Sequence, residues 1–288
     1  MTATTTLAAT HMSMIQAIVL AAVQGVTELF PFSSLGFQVI TPHILHWTID
    51  TSSSQFLPFI VALHLGTAIG LIVYFARDWG RLIMAFFRST QHPLTQLDRY
   101  ADEKTIWLLI AATIPAGIVG LLLQHKIAAL LSVPLLAAIL LIVNGLVMLG
   151  GDRLVRHGQE DIPAMTFWQA VLIGVAQVFA LVPGFSRSGV TMVGGLMVRL
   201  SYETAARFSF LMATPVILAA GVLEVHKLHL HGNGLLAQSA VGFVIAGVLA
   251  YFSVRYLMRY FETKRLMPLA VISMAAGVVF TGLLLLGV

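Results

Sequence analysis

The chain has 288 residues, 58% of them hydrophobic and 10% charged, with a mean hydropathy of +0.93, which excludes a soluble globular domain. It contains no cysteine, so disulfides, thiol catalysis and thiolate metal centres are excluded. The net charge of +4 comes from basic residues at the ends of apolar runs, where they set membrane topology; no nucleic-acid partner is expected.

In chain order, Met1–Met12 is polar and lacks a basic n-region, so it reads as a short tail and not as a cleaved signal peptide. Ser13–Trp47 follows as a hydrophobic element broken at Pro31 and Gly36. Three apolar runs come next, Phe56–Ala76, Thr105–Gln124 and Ser132–Gly150, each near the ~20 residues that cross a bilayer core. A second broken element, Thr166–Leu200, is interrupted at Pro183, Gly184 and Gly189. Three more runs close the chain: Thr204–Val225, Leu236–Leu257 and Met267–Gly287. Unpaired backbone is forbidden in lipid, so these runs must be helices.

The two broken elements match each other. A shift of 153 residues sets Gln16 on Gln169, Gln24 on Gln177, Phe32 on Phe185, Ser33 on Ser186 and Gly36 on Gly189. Each half then reads as one broken element followed by three spans. An odd number of crossings inverts the second half. The expected fold is therefore an all-α polytopic membrane protein, with about six spanning helices plus two re-entrant helix hairpins. The whole chain, 1–288, forms a single integral membrane domain, with inverted repeats at 13–150 and 166–287. Two ordinary bent spans in place of the hairpins are the alternative. With hairpins, twelve Lys and Arg residues fall on one side and two on the other. The positive-inside rule makes the richer side cytoplasmic and puts both termini outside.

Charge is scarce inside these segments. Between Met12 and Ala76 the charged residues are Glu28 and Asp50, and between Thr166 and Val198 there is Arg187 alone. An ionisable group in apolar sequence is a functional-site candidate by default. At the second break Ser186 and Ser188 offer hydroxyls, Gly184 and Gly189 allow tight backbone, and a helix starts near Val190. Helix N-termini favour anions, and the planar guanidinium of Arg187 suits phosphate oxygens. At the first break Ser33 and Ser34 precede another helix start near Gly36, and Ser34 lies six residues after Glu28. A base, hydroxyls, an arginine and two helix ends suit phosphoryl transfer. A plain Glu28–Arg187 ion pair holding the halves together is the structural alternative.

The strings Gln24–Gly36 and Pro183–Thr191, the latter Pro-Gly-Phe-Ser-Arg-Ser-Gly-Val-Thr, resemble the two signature motifs of the bacterial undecaprenyl-diphosphate phosphatase family. Ala205–Leu211 also follows its pattern, so the resemblance covers nearly the whole chain. It implies hydrolysis of undecaprenyl diphosphate to the monophosphate and inorganic phosphate. That reaction recycles the lipid carrier of cell-wall synthesis at the outer face of the bacterial plasma (inner) membrane and is linked to bacitracin resistance. It also implies a polyprenyl diphosphate lipid as partner within the membrane lipids, and leaves a homodimer open.

Carried over by motif, Ser34 is the nucleophile, Glu28 an acidic motif residue and Arg187 the phosphate-binding arginine. Gln24, Ser33, Ser186, Ser188, Gly189 and Thr191 are expected to contact substrate. The family usually has Glu where this chain has Gln24, Thr where it has Leu35, and His where it has Phe37. The loss of that carboxylate weakens the expectation of a Mg2+ or Ca2+ cofactor. The loss of that histidine removes a proton-transfer group, so Phe37→His is expected to raise turnover. His64, within the first span, is a candidate base or ligand, or else a hydrogen-bonded packing histidine. His43 and His46 are placed near the interface, and Asp98, Asp102 and Glu103 read as solvated charge. His226, His229 and His231 resemble a metal cluster but have little carboxylate support. A polyprenyl-phosphate transporter or flippase with the same architecture is the competing function.

Overall fold

A computed structural model describes residues 12–51, 53, 55–91, 94–154, 159–224 and 233–287. The N-terminal tail and the His226–His231 run lie outside these residues, apart from Met12. The described residues form helices α1 (Met14–Thr27), α2 (Ser34–Ile44), α3 (Phe56–Tyr74), α4 (Ala76–Ser89), α5 (Ala101–Leu130), α6 (Pro134–Leu154), α7 (Phe167–Phe179), α8 (Arg187–Met197), α9 (Tyr202–Glu224), α10 (Asn233–Thr263) and α11 (Met267–Leu285). Six of them, α3, α5, α6, α9, α10 and α11, are long and apolar enough to cross a membrane. Large apolar side chains such as Leu122, Leu172, Val222, Val248 and Val278 stand on the outside of the bundle. A soluble fold would bury them; here they are the surface offered to lipid. The protein is a multi-pass membrane protein.

The broken elements become two helix pairs, α1–α2 and α7–α8, with helices of 14, 11, 13 and 11 residues. All are shorter than the ~20 residues of a bilayer span. Local chemistry sets their ends. Ser13 and Thr166 form capping boxes with Gln16 and Gln169, so α1 and α7 begin alike. Ser33 Oγ accepts from Gly36 N, and Ser186 Oγ accepts from Gly189 N, so α2 and α8 begin alike as well. These are the positions matched by the 153-residue shift.

Packing crosses between the two parts of the chain: α1 lies on α10, and α7 lies on α5. The breaks meet near the centre. Gly184 N donates to Ser33 Oγ at 2.9 Å, joining one turn to the other. Gly184 sits at φ +107°, and a Cβ there would lie 2.4 Å from Leu140 Cβ and 2.6 Å from Ala137 O. Only glycine fits both the backbone angle and the space.

Some elements differ from the sequence expectation. The basic loop after α3 contains a helix, α4, strongly amphipathic, with Leu82 and Ala85 buried and Arg81 and Arg88 exposed. Helices α5 and α10 run well past the apolar windows, to 30 and 31 residues. Glu103, read as solvated charge, is 3% exposed, and its Oε2 has no partner among the described residues. Asp98, by contrast, stays exposed and pairs with Lys104. Arg207, on α9, pairs with Asp78 of α4 at 2.5 Å and ties the amphipathic helix to the bundle.

Candidate active site

Glu28 caps the C-terminal end of α1, 6% exposed, and gathers four polar side chains of the site. Arg187 Nη2 donates to its Oε1 at 2.6 Å. Ser34 Oγ donates to its Oε2 at 2.5 Å, and Gln24 Nε2 donates to the same oxygen at 2.9 Å. His64 Nε2 stands 3.2 Å from that oxygen too. Ser34 is the first residue of α2 and Arg187 the first of α8, so two helix N-termini converge here. The helix starts lie two or three residues earlier than the sequence suggested. Both positive dipole ends therefore add to the arginine in favouring an anion.

Arg187 is only partly used. Its Nη1 is buried and has no hydrogen-bond partner among the described residues. Buried guanidinium donors are normally satisfied, and an orphan beside a cleft marks where an acceptor is missing. The cleft has a volume of about 200 Å³. Glu28, Ser33, Ser34, His64 and Arg187 form its polar end, and Leu57, Val61, Leu181, Phe185, Val216 and Ala220 line much of the rest. A small charged head and a long apolar tail fit that division.

The remaining expected contacts stand behind the wall. Gln24, Ser186, Ser188, Gly189 and Thr191 do not line the cleft. Gln24 holds Glu28 and faces Gln38. Ser186 caps α8, Ser188 Oγ donates to the Phe30 carbonyl at 3.2 Å, and Thr191 Oγ1 donates to the Arg187 carbonyl at 2.6 Å and meets Ser209 Oγ at 2.7 Å. These residues position the site; their polar groups are spent on protein. Phe37 does not line the cleft either. It packs edge-on to Phe280, with ring centroids 5.2 Å apart, among Ile40, Ala137 and Leu141. A histidine there would face apolar neighbours, so the gain expected of Phe37→His has no support in this packing. His43 and His46 are exposed, far from this role. Among the described residues no group of three His, Asp or Glu side chains could hold a metal ion.

Asn144 of α6 is the residue that sequence reading missed. Its Nδ2 donates to the Pro31 carbonyl at 3.0 Å and to Ser273 Oγ at 3.1 Å, and its Oδ1 accepts from Ser186 N at 3.0 Å. One side chain thus fixes both breaks. A lone Asn in the run Leu141-Ile142-Val143-Asn144 was the available signal, because a polar group inside a span needs a reason. Asn144→Ala should strand the Pro31 carbonyl and the Ser186 N–H, each costing about 1–3 kcal/mol. The check is a lowered unfolding midpoint in detergent; an unchanged midpoint would show that the clasp contributes nothing.

Known proteins resemble this chain over most of its length. Residues 17–279 match the family model described as bacitracin resistance protein BacA. The chain belongs to this family. It is 46% identical over 267 residues to undecaprenyl-diphosphatase 2 of Burkholderia ambifaria, covering 92% of this chain and 95% of that relative. It is 44% identical over 281 residues to undecaprenyl-diphosphatase 2 of Chromobacterium violaceum, covering 93% and 98%. With undecaprenyl-diphosphatase of Mycolicibacterium paratuberculosis the identity is 42% over 295 residues, covering 93% and 96%. The BacA match takes in both breaks and five of the six long helices whole, ending within α11.

Proposed function

We propose that this member of the BacA family is an undecaprenyl-diphosphate phosphatase, releasing inorganic phosphate and leaving the lipid monophosphate. The observation that carries the reading is the partly used arginine. Arg187 gives one amino group to Glu28, and the other has no partner among the described residues, beside a cleft that also holds the Ser34 hydroxyl. The terminal phosphate supplies the missing acceptor. Ser34 Oγ attacks its phosphorus, giving its proton to Glu28 Oε2, to which it is already bonded. Arg187 and the two helix N-termini hold the charge that spreads over the phosphoryl oxygens. The apolar walls take the polyprenyl tail.

The donors do not fit a resident Mg2+ or Ca2+. Hard cations gather several oxygen ligands, typically with more than one carboxylate. Here there is one carboxylate, both oxygens are engaged, and an arginine stands beside it. Gln24 occupies the place of a second acid.

The carrier reading predicts binding without turnover. Phosphate release from the purified protein given undecaprenyl diphosphate separates the two, and its absence in a protein that binds the lipid would sink the phosphatase reading.

The pairing of caps and the crossed packing of α1 and α7 support the inverted repeat. On that layout the protein sits in the bacterial inner membrane with both termini outside and α4 on the cytoplasmic side. Arg88 is exposed at the end of α4, whereas Ser89 is buried under Trp107. A cysteine at Arg88, in a chain with no other, should be silent to an impermeant thiol reagent in intact cells and react once the membrane is opened. Labelling in intact cells would overturn the inverted layout.

A further inference from the structure

His64 belongs to neither broken element. It projects from α3 into the same cleft, its side chain 16% exposed. Its two ring nitrogens face different acceptors. Nδ1 lies 2.8 Å from the Ile60 carbonyl oxygen, which can only accept, so Nδ1 carries a hydrogen. Nε2 lies 3.2 Å from Glu28 Oε2, an oxygen already accepting from Ser34 and Gln24 and belonging to a carboxylate paired with Arg187. That contact is attractive only when Nε2 carries a hydrogen as well. The partners on both sides therefore orient a ring that holds one proton in reserve, next to the nucleophile.

The reaction needs such a proton. When the bridging P–O bond breaks, the departing oxygen leaves with a second negative charge in an apolar cleft. Arg187 cannot supply a proton, Gln24 cannot give one up, Phe37 faces away, and the only proton Glu28 could pass on is the one it takes from Ser34 and later returns. Among the titratable groups at the polar end of the cleft, His64 is the one that carries a transferable proton of its own before Ser34 reacts.

We propose that His64 is a catalytic residue of the diphosphatase reaction, acting first as acid and then as base; this rests on the phosphatase reading above. In the first step the Ser34 Oγ–phosphorus bond forms and the bridging P–O bond breaks. The Nε2 proton goes to the oxygen that leaves on the lipid monophosphate. In the second step water attacks the phosphoserine phosphorus and gives a proton to the now neutral Nε2. The P–Oγ bond breaks, and Glu28 returns its proton to Ser34. One water is consumed, one phosphate is released, and every protein group ends as it began.

A leaving group that needs no proton tests this. The probes are undecaprenyl diphosphate and a lipid-tailed nitrophenyl phosphate, whose phenolate departs unprotonated. His64→Gln should lower phosphate release from the diphosphate by about 100-fold or more, the usual worth of a general acid, and spare most of the release from the aryl ester. An equal loss on both substrates would leave His64 as a residue that merely positions Glu28, and the proposal would fall. The pH profile of kcat/KM with the diphosphate decides independently of the aryl ester. Activity in the unaltered protein should fall on the alkaline side as Nε2 loses its hydrogen, and that limb should vanish in His64→Gln. The charged groups acting on the ring are Glu28 at the end of α1 and Arg187 at the start of α8, while α9 presents only Val216, Ile217 and Ala220 to the cleft. A limb that survives the substitution overturns the proposal. Ser34→Ala run beside these variants keeps the two readings apart. If the unaltered protein releases no phosphate, the phosphatase reading fails. If Ser34→Ala is inactive while His64→Gln is unaffected, only the role of His64 fails.

Discussion

Replacing Arg187 by lysine is expected to lower phosphate release nearly as far as replacing it by alanine, by about 10²–10³-fold, the range seen when one donor to a developing anion is lost. The argument turns on the two amino groups. One bonds Glu28 at 2.6 Å and the other has no partner among the described residues. A lysine can restore the ion pair, because a single ammonium reaches a single carboxylate oxygen. It cannot also offer a second, coplanar donor to a phosphate. The two substitutions should therefore separate in stability while staying together in activity. Arg187→Ala breaks the buried Arg187–Glu28 pair, a loss of up to about 3–5 kcal/mol, whereas Arg187→Lys should unfold near the normal midpoint. Measured phosphate release and thermal unfolding in detergent check both halves. A fully active lysine variant would mean that Arg187 serves only as a point charge or a strut.

Ser34→Ala and Glu28→Gln are both expected to abolish hydrolysis, but for reasons that unfolding data distinguish. The Ser34 hydroxyl has one recorded bond, to Glu28, and Glu28 keeps three other partners without it. The alanine variant should thus fold normally and lose several orders of magnitude in turnover, as nucleophile removal does. Glu28→Gln is different. Four donors converge on this carboxylate, and an amide turns half of it into a donor facing donors. Activity should disappear and the unfolding midpoint should drop, because Arg187 is left unpaired. Ser33→Ala supplies the contrast. Its hydroxyl accepts from Gly36 N and Gly184 N and touches no titratable group. The expected loss is about 1 kcal/mol, that of a helix cap, with part of the activity retained. Phosphate release by Ser34→Ala would remove the serine from the chemistry.

The spans were legible because lipid forbids most alternatives: a run near twenty apolar residues has to be a helix, and all six such runs are helices. Helix α4 was not legible by the same route. Its arginines suggested a loop, and the cue that it folds, Leu82 and Ala85 three apart on one face, is the periodicity of a short amphipathic helix. At the site, charge scarcity pointed to Glu28 and Arg187, and the structure brings them into contact across 159 positions of sequence. What sequence could not resolve was direction. The motif strings made Ser186, Ser188 and Thr191 substrate contacts, yet they turn their hydroxyls into protein. Phe37 was judged by the position it occupies, and its ring points towards Phe280. His64 was noticed as an isolated polar residue, but only its Ile60 and Glu28 neighbours fix which nitrogen bears which hydrogen.

The Asn144 clasp and the Gly184–Ser33 bond have a mechanical consequence. A carrier that alternates between two openings must let one half of the molecule slide past the other at mid-depth, where its ligand sits. In this protein the two turns are fastened together: a single amide grips both, and one turn is bonded directly to the other. Sliding would strand all of those groups together in a place without water. The machine is built to hold still at its centre, so the lipid must do the travelling, with its head entering a fixed socket and leaving it one phosphate shorter.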